Sequence, residues 1–179
     1  MTSWAIWVDE WKNPKDNMGD LSVFDIEKNA GLLRQLNPNI ILVGLNVSRG
    51  VIKVPFANFH DARPQANDFK IRYALLGSPF WGAYMTDIIK DFDQKESGKV
   101  RSYLRTHKPF EEENARLFRE EMKDIGTDNP TIIAFGVDTY TILNRNFKNE
   151  FKIRKVLHYS HYISKEKYRE EVLNRLSKN

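Results

Sequence analysis

A chain of 179 residues, 41% hydrophobic and 29% charged, has the composition of one globular domain spanning 1–179 with a full core. It contains no cysteine, which excludes disulfides, thiolate zinc sites and cysteine-held iron–sulfur clusters. The net charge of +4 is unevenly spread: residues 152–179 carry eight Lys/Arg against three Asp/Glu, and residues 95–108 carry five against one.

The opening MTSWAIWVDEWK is acidic and aromatic and lacks the basic and apolar regions of a signal peptide. No apolar run reaches the roughly 18–20 residues of a membrane span, so no membrane partner and a cytoplasmic location are expected. Trp4, Trp7 and Trp11 recur at spacings of a helix or strand edge packed on the core. Residues 21–36, LSVFDIEKNAGLLRQL, read as a helix with Asp20 as N-cap, ended by Asn37-Pro38. NIILVGLN (39–46) is a continuous apolar run of strand length, the pattern of a strand buried on both faces. A short helix follows over 67–77, closed by Gly77.

WGAYMTDIIKDF (81–92) reads as a second strand. Residues 95–108 form a basic stretch in which Tyr103 and His107 are interleaved. Such a stretch suits a phosphate backbone or, more plainly, a solvated surface. Residues 110–126 hold a 3.6-period stripe of Phe110, Leu117, Phe118, Met122 and Ile125, opened by Pro109 and three glutamates. Then come a strand (130–136), a helix (137–147), a strand (152–160) and a last helix after Ser164, with Tyr168, Val172, Leu173 and Leu176 on its apolar face. This alternation predicts a three-layer α/β/α sandwich around a central, mainly parallel four-stranded sheet.

In such sheets the ligand crevice lies past the carboxyl ends of the strands. The residues expected there are Asn46 and Ser48, Thr86 and Asp87, Gly136 and Asp138, and His158 with Ser160. An asparagine amide can accept from a water and orient it. A neutral imidazole N–H can donate to an oxygen that gains negative charge. Phe56 or Phe59 offers a face for a flat ring. Together they suit the cleavage of an N-glycosidic bond, where charge develops on the departing base.

The same residues resemble the uracil-DNA glycosylase superfamily, and most nearly its mismatch-specific branch. Gly44-Leu45-Asn46-Val47-Ser48 resembles that branch's Gly-Ile-Asn-Pro-Gly, and Pro55-Phe56-Ala57 its Pro-Phe-Ala. Ala66-Asn67-Asp68-Phe69 is similar to its Ala-Asn-Arg-Phe, and Thr86 to Lys90 to its second strand. His158-Tyr159-Ser160-His161-Tyr162 resembles the closing His-Pro-Ser-Pro-Leu or Asn-Pro-Ser-Gly-Leu motif. The matches fall in order across residues 39–178.

The resemblance implies a DNA glycosylase with no cofactor, acting as a monomer on a damaged or mismatched base in duplex or single-stranded DNA. It implies that Asn46 positions the attacking water and that His158 hydrogen-bonds the leaving base. It also implies that Phe56, Asp87, Ser48 and Ser160 contact the base, and that His161, Tyr162, Lys165 and Lys167 contact DNA. Val47 and Tyr159 stand where the family has proline, and Asp87 where it commonly has asparagine. A non-catalytic nucleic-acid- or nucleotide-binding member of the same fold fits the sequence as well. Plainer roles also stand: Asn46 as a turn residue, Phe56 and Phe59 as loop anchors, His158 as a satisfied histidine, and Asp87 paired with Lys90 or Arg72. His60-Asp61 has the look of a triad's orienting half, but no GxSxG accompanies it. No metal is expected, because His60, His158 and His161 match no ligand spacing.

Overall fold

The computed structural model describes residues 2–8, 11–48, 50 and 52–177. The strands among them are β1 (Ser3–Trp4), β2 (Asn37–Asn46), β3 (Ala83–Ile89), β4 (Thr131–Phe135) and β5 (Lys152–Val156). The helices are α1 (Leu32–Gln35), α2 (Phe69–Leu75), α3 (Ser97–Thr106), α4 (Lys108–Asp124), α5 (Gly136–Phe147) and α6 (Lys165–Ser177). The strands form one sheet in the order β1-β3-β2-β4-β5.

β2, β3, β4 and β5 run parallel, and β1 pairs antiparallel with β3. The sheet is therefore mixed and five-stranded, not four-stranded as the sequence suggested. The extra strand is a two-residue edge, Ser3↔Met85 and Trp4↔Tyr84, too short to show as a periodic run. Trp4 packs edge-on to Tyr84, and Trp7 is fully buried beyond it.

Successive residues of a strand face opposite sides of the sheet. Leu42, Met85, Ile133 and Val156 meet α2 and α6 through Ile71, Ala74, Tyr168 and Val172. Ile41, Tyr84, Ile132 and Ala134 meet α3, α4 and α5 through Val100, Leu104, Phe118, Met122, Ile142 and Phe147. Helices thus cover both faces, which is why β2 to β4 read as unbroken apolar runs.

The helix expected over 21–36 does not form. Its place is taken by turns, a 3-10 turn at Ser22–Phe24 and the single turn of α1. Asp20 and Asp25 accept the main-chain N–H groups of Ser22 and Glu27 at 2.9 and 3.0 Å. Such local bonds satisfy the backbone outside a helix. Ile26 and Leu33 stay exposed, so no apolar stripe is buried.

Residues 95–108, read from the sequence as a basic stretch only, include α3, whose Val100 and Leu104 sit on the core at helical spacing. Ser164 caps α6, accepting the Lys167 N–H at 3.2 Å. Lys178, placed in that helix from the sequence, lies outside the described residues.

Gly82 sits at the junction of three segments. Its N–H donates to Ala5 and its carbonyl accepts from Asn37. With φ +80, a Cβ there would lie 1.8 Å from the Gln35 carbonyl oxygen. Gly82→Ala is expected to lower stability by about 3 kcal/mol or more, read as a fall in the urea midpoint. An unchanged midpoint would show that this junction tolerates movement.

Candidate active site

A cleft of about 530 Å³ opens at the carboxyl ends of the parallel strands, a size typical of small-ligand sites. Asn46, Ser48, Asp87, His158 and Ser160 all line it. Phe56 does not.

Asn46 is the last residue of β2 and is half-buried. Its Nδ2 donates to the carbonyls of Phe92 and Gln94 at 2.7 and 2.8 Å, with the Val47 carbonyl at 3.2 Å. Three carbonyls around one end of the amide fix that end as the nitrogen, since only N–H groups can serve them. Oδ1 is then the outward acceptor, and no donor among the described residues reaches it. The segment after β3 clamps the donor end of Asn46.

β5 stops at Val156, earlier than the sequence suggested, so His158 stands in the loop beyond it. The Ser160 N–H donates to His158 Nδ1 at 3.1 Å, and Ser160 Oγ lies 2.8 Å from the same nitrogen. A main-chain N–H can only donate, so Nδ1 accepts and the ring proton sits on Nε2. Burial pushes the imidazole pKa down to about 4. Near neutral pH His158 is therefore an uncharged Nε2–H donor.

Its ring stacks on Tyr159, with centroids 4.4 Å apart, and Tyr159 meets Phe135 edge-on at 5.3 Å. Tyr159 thus braces the imidazole by stacking, where the resembling family has a proline. Behind the imidazole lies Gly136, φ +86, where a Cβ would come within 3.3 Å of His158 Cβ. That close approach and the left-handed backbone both call for glycine at the start of α5.

Asp87 lies inside β3, not past its end, and is 4% exposed. It faces the cleft through a gap in β2. Gly44 is its register partner, and a Cβ on Gly44 would sit 2.2 Å from Asp87 Oδ1. Oδ2 accepts from Asn58 Nδ2 at 2.9 Å. The partners suggested by sequence are engaged elsewhere. Lys90 bonds Glu121 at 2.7 Å and Thr86, and Arg72 donates to the Pro14 carbonyl. Burial raises the Asp87 pKa, against the smaller pull of Asn58 and of Lys90.

Of the two phenylalanines the sequence offered, Phe59 lines the cleft, together with Phe135 and Tyr159, and Phe56 does not. Two consecutive turns, closed by Ala57 N–H to Val54 O and His60 N–H to Ala57 O, place Phe56 and Phe59 third in each. Both have positive φ, +63 and +64, as a type II turn requires there. The first turn sends Phe56 outward, 40% exposed, against Phe24 at 4.9 Å. The second turns Phe59 inward beneath Gly44, 3% exposed.

His161 and Tyr162 follow the cleft wall in sequence, and Tyr162 is fully exposed. Lys165 is engaged by Glu166 and lies over the Tyr73 ring at 5.0 Å, while Lys167 is exposed. Arg154 and Arg169 donate to main-chain carbonyls of Leu176 and of Tyr73 and Ala74. Much of the basic C-terminal segment is therefore occupied within the fold. Lys95 lines the cleft from the other side, and Arg101 pairs with Asp138 at 3.2 Å.

His60 is buried, stacked on Trp7, with Nε2 3.0 Å from the Ile6 carbonyl, so it belongs to the packing and not to a triad. No group of three or more candidate ligands for a metal occurs among the described residues. No helix among them is long and apolar enough to cross a membrane. Fold and cleft together define an α/β protein with a mixed sheet and a polar ligand cleft at its strand ends. Comparison with protein-family models, with curated proteins and with solved structures finds no match.

Proposed function

We propose that this chain is a hydrolase of N-glycosidic bonds that acts on a nucleobase turned into the cleft. In this reading it is a DNA glycosylase-like enzyme related to the uracil-DNA glycosylase superfamily. The observation that supports it is the pairing of two oriented groups on one cleft. Asn46 presents an acceptor with its donor end tied down, and His158 presents an uncharged donor.

Cleavage separates the sugar carbon from the base nitrogen and leaves negative charge on the base. Asn46 Oδ1 accepts from the water that adds to the sugar carbon, holding its lone pair on line. The proton that water loses passes to bulk solvent, from which the departed base anion regains one. His158 Nε2–H donates to the base oxygen as charge gathers there, a gain specific to the transition state. Phe59 supplies the flat face that the resemblance assigned to Phe56. Asp87, fixed by Asn58, meets the edge of the base. Turning a base out of the stack costs a few kcal/mol. The exposed Tyr162, beside the cleft wall, is placed to fill the gap it leaves. Lys95 and Lys167 would hold phosphates.

The test is a single-turnover assay on oligonucleotides bearing uracil, G:T mismatches, hypoxanthine or xanthine. Alkali-labile abasic sites are expected on at least one of them. Salt-sensitive DNA binding without abasic product on any would favour the non-catalytic binding member of the fold. No DNA binding at low salt would overturn both.

A further inference from the structure

Lys70 lies on α2, whose Ile71, Ala74 and Leu75 enter the core, and it is itself only 7% exposed. A buried lysine ordinarily pairs with a carboxylate, because an isolated buried charge is expensive. Here the ammonium donates to the main-chain carbonyl of His161 at 2.9 Å, and no ion pair to Lys70 occurs among the described residues. Burial, with Lys15 nearby, lowers its pKa.

The residue whose carbonyl it holds closes a turn through its own N–H. The His161 N–H donates to the His158 carbonyl at 2.9 Å, and the Ile163 N–H donates to the His161 carbonyl at 2.9 Å. Ser160, whose N–H sets the His158 tautomer, lies inside that turn. The contact spans 91 residues of sequence, so local chain stiffness does not supply it. A charge-assisted bond to a carbonyl is about twice as strong as a neutral one, which suits an anchor for a short loop.

We infer that Lys70 is a positioning residue: its ammonium locks the His158–His161 turn, so that the Ser160 N–H stays on His158 Nδ1 and the imidazole keeps its proton on Nε2. The inference rests on the proposed role of His158. Its test reads the imidazole directly, so it is decided whether or not any base is cut.

The experiment compares nitrogen-15 histidine spectra across pH for wild type, Lys70→Met and Lys70→Gln in the full chain. Met conserves volume and removes a buried unpaired charge, a change cores often accept. Gln keeps a donor. In Lys70→Met the His158 titration is expected to rise from about 4 toward the ordinary value by at least about one pH unit, with mixed Nδ1–H and Nε2–H forms. Lys70→Gln should stay near wild type. If Lys70→Met fails to fold, Lys70→Thr, too short to reach the carbonyl, replaces it with the same expectation. Wild-type His158 signals in the folded Met or Thr variant would overturn the inference, as would a Gln variant that shifts as far as Met.

Discussion

Asn46→Ala is expected to slow single-turnover base release by about 10²–10³-fold on whichever lesion the wild type cleaves, the loss typical of one oriented group in a preorganised site. The substitution also frees the carbonyls of Phe92 and Gln94, which now share the amide Nδ2. Stability should therefore fall by about 1–3 kcal/mol, and denaturation must be followed beside the rate.

His158→Ala is expected to bring a similar rate loss with less structural disturbance, because among the described residues its ring hydrogen-bonds Ser160 alone. In the proposed mechanism the two side chains act at opposite ends of one breaking bond. Their double variant should thus lose less than the product of the single losses, as happens when groups work as a unit. A folded Asn46→Ala or His158→Ala chain that cleaves at the wild-type rate would remove that residue from the mechanism.

The alternation of strands and helices along the chain and the two helical layers were largely legible in the sequence because both rest on patterns longer than a few residues. The order of strands in the sheet and the two-residue edge β1 were not. The apolar runs of β2, β3 and β4 could face no solvent, so helices had to cover both sides. The helix expected over 21–36 was misread because its apolar residues imitate a stripe. Asp20, Asp25 and Gly31 instead favour turns, and Leu33 stays 68% exposed. The signal for α3 was present in Val100 and Leu104, spaced by four, but the surrounding charge masked it.

At the site, strand ends located Asn46 and His158 without any contact being known. Side-chain chemistry left Phe56 and Phe59 open, because it does not reveal which of two turn residues points inward, and the resemblance of Pro55-Phe56-Ala57 singled out Phe56. Both share the same positive φ, and what separates them is packing: Phe59 is buried under Gly44 while Phe56 lies exposed against Phe24. Asn58 and Lys70 were missed for a different reason. Their partners, Asp87 and the His161 carbonyl, lie 29 and 91 residues away, and no local pattern encodes such pairs.

Asp87 and His158 set opposite limits on pH, and their balance is the sharper prediction. His158 in the fold titrates at about 4, below its ordinary value of 6.5. Between those values the unfolded chain holds a proton that the folded chain refuses, so stability is lost as pH falls from about 6.5 toward 4. Asp87 is shifted the other way by burial, with Glu121 adding to the rise and Asn58 and Lys90 opposing it. Above the ordinary carboxyl range the folded chain keeps a proton that the unfolded chain has released. Its contribution is therefore lost as pH rises through the raised value.

Asp87 and His158 are both uncharged only between these limits. With Oδ2 held by Asn58, a proton on this carboxyl would fall on Oδ1 beside Gly44, where in the proposed mechanism it would donate to a base carbonyl. Once ionised, the same oxygen repels a departing anionic base. Base release in the wild type should thus follow a bell-shaped profile whose acid limb lies near pH 4. Asp87→Asn supplies a neutral donor at every pH and should remove the alkaline limb while leaving the acid limb in place. It should also be more stable than wild type at pH 8 by about 1–3 kcal/mol, with the gap closing toward pH 4. An Asp87→Asn chain less stable than wild type at pH 8 would mean that the carboxylate is held ionised by a partner, and the cleft would then suit a base that offers an amine.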